Sequence, residues 1–110
     1  MQEIKAYVRK NMLDAVLDSL NTIEGLPGIA IVDDQGFGHH AAKDAPLTKT
    51  DMAKLEIDVP DELVAPVVET ILAQARTGEG HPGDGKVFVT ELREAIRIAD
   101  GARGDMAVLR

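Results

Sequence analysis

A glycine-rich segment in the last third of the chain offers the residue types best suited to chemistry. The string Gly80-His81-Pro82-Gly83-Asp84-Gly85-Lys86 matches the opening of a P-loop, in which backbone N–H groups and a lysine hold phosphate. The next residue is Val87, so the hydroxyl that would bind magnesium is missing. The segment also precedes a predicted strand, whereas a P-loop leads into a helix whose N-terminus binds phosphate. These two departures exclude Walker-type hydrolysis.

The same glycines have two further interpretations. Gly83, Gly85 and the flanking Gly78 and Gly80 allow positive φ, so successive backbone N–H groups can converge on an anion. Lys86 would add a positive charge at the edge of this site. Alternatively, the glycines only form a turn between a helix and a strand. Arg97 follows on a predicted short strand, where it can either meet the same phosphate or pair with an acidic neighbour.

A second candidate binding segment is Gly36-Phe37-Gly38, which lets the backbone approach a ligand closely or simply ends a strand in a bulge. His39 and His40 follow it, but neighbouring residues on an extended segment point in opposite directions, so no metal site is predicted there. Glu56 and Asp58 are predicted to share an outward strand face. Because no Ser/His/Asp set with a nucleophile motif is present, we predict that the protein is not an enzyme.

Composition narrows the class of protein. The 110 residues include 45% hydrophobic ones, which suits one domain with a packed core, and they carry a net charge of −7, which argues against nucleic-acid binding. No apolar run reaches the ~20 residues of a membrane span, so no membrane insertion is expected. The absence of cysteine and of signal-peptide features predicts a cytoplasmic protein.

Hydrophobic periodicity divides the chain into alternating strands and helices. Asn11 is the predicted N-cap of the first helix, and Pro66 predicts a late start or an irregular first turn for the second. The order β-α-β-β-α-β predicts an α+β, ferredoxin-like sandwich with both helices on one face of an antiparallel sheet. The predicted strands are 3–9, 29–34, 53–59 and 86–90 with a short extra strand at 95–98, the helices are 13–23 and 63–75, and the long loops are 39–51 and 77–85.

Read in order, these segments resemble the PII signal-transduction proteins along essentially the whole chain. The resemblance rests on the order and spacing of several short motifs, because glycine-rich strings alone are common. These motifs are Lys10, Leu13-Asp14, Val16, Leu20, Gly28, Gly36-Phe37-Gly38, Lys54-Leu55-Glu56-Ile57, Val59-Pro60-Asp61, Gln74-Ala75-Arg76-Thr77-Gly78, Gly83-Asp84-Gly85-Lys86-Val87-Phe88-Val89 and Ile96-Arg97-Ile98.

The resemblance implies one PII-like domain over residues 1–110 that forms a homotrimer with nucleotide in the clefts between subunits. It implies a T-loop at about 39–52 that reaches a membrane transporter or metabolic enzyme, a B-loop at about 77–86 and a C-loop at about 99–105. The nucleotide-binding residues that it implies are Gly36, Phe37, Gly38, His39, Gly83, Asp84, Gly85, Lys86, Arg97 and Arg103.

Departures from the family pattern point to the ligand. Met52 falls near the place of the lysine that helps hold 2-oxoglutarate, so 2-oxoglutarate is not expected to bind. Ala99 replaces the second arginine of the Arg-Ile-Arg pattern, although Arg103 could substitute for it. Each lost charge-assisted contact costs ~1.5–3 kcal/mol, so we expect ADP or AMP as ligand in preference to Mg-ATP.

Other departures concern the loops. The T-loop is shorter than usual, begins with His39-His40 in place of Arg-Gln and lacks the tyrosine that some members have modified, while His81-Pro82 is an insertion in the B-loop. The chain therefore resembles a divergent member acting in nitrogen metabolism, bicarbonate uptake, carboxysomes or metal efflux. The sequence does not choose among these settings.

Two other classes stay open from the residues alone. A trimeric metal-responsive protein resembling the CutA family shares the fold, and His39-His40 would be its ligands. A small acylphosphatase would need an arginine and an asparagine after the first strand, where Arg9 and Asn11 stand. The glycine-rich loop lies at the wrong end of the chain for that second class.

Overall fold

The structure is a computed structural model that describes residues 1–38 and 48–109. Side chains are described outside residues 33–50. The strands are β1 (Gln2–Arg9), β2 (Ala30–Gly38), β3 (Thr48–Val59) and β4 (Gly85–Glu91). The helices are α1 (Leu13–Leu20), α2 (Asp61–Ala75) and the short α3 (Asp105–Val108), and 3-10 turns occupy Lys10–Met12 and Pro82–Asp84.

One four-stranded antiparallel sheet organises the chain, with the strand order β2-β3-β1-β4. The central strand β1 pairs with β3 on one side and β4 on the other, so that Ile4 lies between Ile57 and Val89. Each β-α-β unit therefore skips one strand: β3 lies between β1 and β2, and β1 lies between β3 and β4. This is the ferredoxin-like arrangement, and it confirms the predicted fold class.

The core lies between one face of the sheet and the two long helices. Period-two alternation in β1 and β3 turns every second side chain toward α1 and α2, where each is buried. Burying one such Val, Leu or Ile side chain contributes about 1.5–3 kcal/mol. The fully or almost fully buried large side chains are Ile4, Val8, Val16, Leu20, Leu55, Ile57, Val59, Val67 and Ile71.

The third strand begins earlier than predicted. It starts at Thr48 instead of residue 53, because β2 and β3 continue as a paired ribbon in which Gly38 lies opposite Thr48. Residues 48–52 of the predicted T-loop are therefore strand. The remainder, residues 39–47, lies outside the described part of the chain.

The helix boundaries also differ from the sequence predictions. The helix α1 ends at Leu20, and Met12, not Asn11, is its N-cap because a 3-10 turn precedes it. The helix α2 begins directly after Pro60, so the predicted late start was wrong. Pro66 lies inside α2 but is exposed, so water can hydrate the Glu62 carbonyl that loses its backbone partner.

The C-terminal segment contains less strand than predicted. In place of a fifth strand at 95–98, Ile96 forms an isolated bridge with Arg103. The intervening turn is closed by bonds from the Arg97 N–H to the Ala102 carbonyl, 2.9 Å, and from the Gly101 N–H to the Arg97 carbonyl, 2.8 Å. Among the described residues, no helix has both the length and the apolar character needed to cross a bilayer.

Candidate functional site

Gly85 fixes the path of the glycine-rich loop where the loop enters β4. Its φ of 113° is favourable only for glycine. A Cβ at this position would overlap the carbonyl oxygen of Tyr7 and lie 2.7 Å from its carbonyl carbon. Close contact between the two backbones thus brings the start of β4 against β1, and Lys86 follows opposite Tyr7. The predicted positive φ is found at Gly78, Gly80 and Gly85 but not at Gly83.

Asp84 braces the loop from inside. Its carboxylate accepts hydrogen bonds from the backbone N–H groups of Thr77, 3.0 Å, and His81, 2.9 Å, and from the Thr77 hydroxyl. Arg9 of β1 donates to the same carboxylate at 3.1 Å and forms an ion pair with it. The Thr77 hydroxyl bond, then the backbone bonds and Arg9, hold the pKa of Asp84 far below its ordinary range.

These bonds change the role expected for Asp84. The family resemblance implied that Asp84 binds nucleotide. In the structure its carboxylate is hydrogen-bonded to Arg9, Thr77 and His81. Its own N–H donates to the His81 carbonyl at 3.0 Å, so one donor of the predicted anion nest is already used. Whether Asp84 also contacts a ligand stays a prediction.

Beside this braced loop lies a cavity of about 320 Å³ between the end of α2 and the start of β4. Part of the cavity wall is apolar and is formed by Leu72, Val8 and Val87. Two cationic side chains, Arg76 and Lys86, also line the cavity. The negative charge of Asp84, which also lines the cavity, is offset by its ion pair with Arg9. The full lining is Tyr7, Val8, Ile71, Leu72, Ala75, Arg76, Gly80, His81, Asp84, Gly85, Lys86 and Val87.

Arg97 is not in the lining of this cavity. Its guanidinium forms a two-bonded ion pair with Asp100, at 3.0 and 2.7 Å, and donates to the Met106 carbonyl at 3.2 Å. Arg97 in turn lowers the pKa of Asp100 to about 2. Arg103 forms an ion pair with Glu94. Within one described chain, therefore, Lys86 and Arg97 belong to different parts of the surface.

The second candidate binding segment continues as regular strand, without a bulge. Gly36, Phe37 and Gly38 pair with residues 48–50 as the last pairs of the β2–β3 ribbon. His39 and His40 lie outside the described residues, so their predicted roles are not addressed. Among the described residues, no group of three or more histidine or acidic side chains could hold a metal ion.

The predicted outward pair on β3 is more constrained than the sequence suggested. Lys54 forms an ion pair with Glu56 at 2.9 Å and lowers the pKa of Glu56. Asp58 lies opposite Glu3 in the register, and partial burial, followed by the Glu3 charge, raises the pKa of Asp58. The pKa values of these two carboxylates are therefore shifted in opposite directions.

Three residues that shape the site, Arg9, Arg76 and Thr77, were not among the nucleotide-binding residues predicted from the sequence. Arg9 is distant from Asp84 in sequence, and only the pairing of β1 with β4 brings the two together. Arg76 appeared only as part of a family motif. The Thr77-to-Asp84 spacing could have suggested a hydrogen-bonded loop, since short polar side chains commonly close such turns.

The chain is similar to known proteins along nearly its whole length. Residues 1–102 match the family model "Nitrogen regulatory protein P-II". Curated relatives described as nitrogen regulatory protein P-II include those of Haemophilus influenzae, 36% identical, and Rhodospirillum rubrum, 35% identical. Nitrogen regulatory protein P-II 1 of Escherichia coli is 32% identical. Each alignment covers 98% of this chain and 100% of the relative. The chain therefore belongs to the P-II family of nitrogen regulatory proteins.

Proposed function

We propose that this protein is a trimeric P-II-type regulator that senses ADP or AMP in clefts between its subunits. The observation that carries the proposal is the preformed cavity beside β4, in which apolar walls meet Arg76 and Lys86. Pockets that bind small molecules are mostly apolar with a few well-placed polar groups. A base can pack against Leu72 and Val87, while a phosphate can meet the cationic side chains.

A trimer would complete this site. Lys86 and Arg97 lie on separate parts of one chain, so a cleft between two subunits is the arrangement that can unite them. Exposed apolar side chains support self-association: Phe88 on β4 is 48% exposed, and Met106 is 63% exposed. Ile98, between Arg97 and the C-terminal turn, is fully exposed. Such surfaces are typical of interfaces when they form a contiguous patch.

The preference for ADP or AMP rests on the number of cations. Ala99 supplies no charge, and Arg103 is already paired with Glu94. A triphosphate carries more charge than these groups can neutralise, and every unmatched phosphate loses a charge-assisted contact. Met52 is 8% exposed and cannot bind a carboxylate, which agrees with the expectation that 2-oxoglutarate does not bind.

We propose that the regulator acts on a membrane transporter or a metabolic enzyme, and that it contacts this partner through residues that include 39–47. The relatives' descriptions as nitrogen regulatory proteins favour nitrogen metabolism over the carbon-related settings. A metal-responsive role of the CutA kind is not favoured, because the chain matches the P-II family over residues 1–102.

Titration calorimetry with AMP, ADP, and ATP with and without magnesium tests the proposal. We expect ADP and AMP to bind more tightly than Mg-ATP. Lys86→Ala should weaken ADP binding by ~1.5–3 kcal/mol, which is roughly ten- to a hundred-fold.

Arg93→Ala is the matched control, because it removes a cation beyond the opposite end of β4 and should change the affinity by less than about two-fold. Absence of adenine-nucleotide binding in the parent protein would overturn the proposed function. Equal losses in the two variants would show that Lys86 acts only through net charge.

A further inference from the structure

His81, which lines the cavity, uses one ring nitrogen to bond the loop and leaves the other without a hydrogen-bond partner among the described residues. The ring Nδ1 lies 2.9 Å from the Thr77 carbonyl oxygen and 2.9 Å from the Thr77 hydroxyl oxygen. A carbonyl oxygen can only accept, so Nδ1 must carry the hydrogen. The Thr77 hydroxyl can donate its own hydrogen to Asp84, and it then accepts from His81 as well. Both hydrogen bonds are therefore satisfied by one tautomer, in which Nδ1 carries the hydrogen.

This tautomer determines what Nε2 can do. In the neutral ring Nε2 is a hydrogen-bond acceptor, whereas in the charged ring both nitrogens donate. Within the described part of the chain Nε2 has no hydrogen-bond partner, and His81 lines the cavity together with Arg76 and Lys86. Protonation would thus turn a group that repels a phosphate oxygen into one that donates to it, without a change in the bonds that hold the ring.

We propose that His81 makes anion binding in this cavity depend on pH, so that the regulator holds the phosphate of an adenine nucleotide more tightly as the pH falls through neutrality. The inference rests on the proposed function and adds a regulatory input to the same site. Histidine is the side chain whose charge ordinarily changes between about pH 5 and 8. The ring sits in a loop braced by Asp84, so the protonated form gains an anion contact at little cost in loop ordering.

The surrounding groups do not supply the same dependence. The charged and titratable groups around the cavity and its loop come from β1, the end of α2, the loop itself and β4, and they are Tyr7, Arg9, Arg76, Glu79, Asp84 and Lys86. Asp84 stays ionised throughout this range because its hydrogen bonds favour the charged form. Arginine and lysine side chains ordinarily keep their charge at these pH values. Among these residue types, histidine is the one whose charge ordinarily changes near neutral pH.

His81→Asn separates a titrating role from a structural one, because the asparagine amide can replace the Nδ1 donor to Thr77 but cannot gain a proton. ADP affinity is measured by calorimetry at about pH 6 and about pH 8 for the parent and the variant. The nucleotide phosphate itself titrates in this range. Dividing the dissociation constant of the variant by that of the parent at each pH removes this contribution, because it is the same for both proteins.

We expect the variant to bind ADP about three- to ten-fold more weakly than the parent at pH 6 and within about two-fold of it at pH 8. In the parent, the NMR titration midpoint of the His81 ring should move to higher pH when ADP is added. Its signal is identified among the three histidines by its loss in His81→Asn.

A ratio that is the same at both pH values, or a ring titration that ADP does not move, would overturn the assignment of His81 while leaving nucleotide binding intact. A parent protein that binds no adenine nucleotide at either pH would overturn the proposed function, and this inference with it.

Discussion

Replacing Gly85 by alanine should damage both the stability of the sheet and the binding site. The new Cβ would overlap the Tyr7 carbonyl oxygen, and the residue would keep a φ of 113° that an L side chain rarely adopts. The strained backbone costs about 1–2 kcal/mol, and moving β4 away from β1 loses about one backbone hydrogen bond worth ~1 kcal/mol. We therefore expect the free energy of unfolding to fall by about 2–3 kcal/mol.

Urea unfolding at one fixed protein concentration measures this change, because the stability of an oligomer depends on concentration. Gly28→Ala is the matched control, since a Cβ there meets no atom within 4 Å and its φ lies outside the left-handed region. It should change stability by less than about 0.5 kcal/mol. If Gly85→Ala were as stable as this control, the close approach of the Tyr7 and Gly85 backbones would be refuted as the feature that shapes the loop.

Three further predictions follow from the ion pairs and exposed side chains. The hydrogen bond from the Thr77 hydroxyl lowers the pKa of Asp84 below its unfolded value near 3.8. The ionised carboxylate therefore contributes its full stabilisation above about pH 4, and this is lost as acid protonates Asp84 in the folded protein. Urea midpoints measured from pH 7 to pH 2 should accordingly fall more steeply in the parent than in Asp84→Asn. Arg97→Ala should raise the pKa of Asp100 from about 2 toward 3.8, as measured by NMR titration, and an unchanged value would show that the ion pair is absent in solution. Ile98→Asp should preserve the circular dichroism spectrum but reduce the mass seen by light scattering from three chains of 11.8 kDa toward one, whereas a parent that is already a single chain would contradict the trimer.

The sheet and its core could be predicted because their residues alternate with a clear period. In β1, Ile4 and Val8 are buried while Lys5 and Tyr7 are less so, as the alternation indicated. The early start of β3 could not be predicted in this way. Residues 48–52 have no apolar alternation, and they become strand through backbone pairing with β2, which any side chain permits.

The candidate site was predictable in its residue types but not in their partners. The glycines and Lys86 could be recognised from the sequence, since positive φ and positive charge have strong residue preferences. The contact of Arg9 with Asp84 joins two residues far apart in the chain, so only the folded sheet creates it. The sequence left open whether Arg97 meets a phosphate or pairs with an acidic neighbour, and within the described chain it pairs with Asp100 and holds the C-terminal turn. Local sequence carries no information on which acidic group an arginine will meet.

The central claim is that nucleotide binds in a cleft that combines Lys86 of one subunit with Arg97 of its neighbour. Mixed trimers test it most directly, assembled from Lys86→Ala chains and Arg97→Ala chains after unfolding and refolding them together. If the two residues act across an interface, every mixed trimer contains one cleft in which both residues are intact.

The account predicts that each variant alone binds ADP weakly and that the mixture regains parental affinity at a fraction of its sites. Calorimetry measures both the affinity and the number of sites in the same experiment. Mixed trimers that bind ADP no better than either variant alone would contradict the claim, because Lys86 and Arg97 would then act within one subunit or not at the same site.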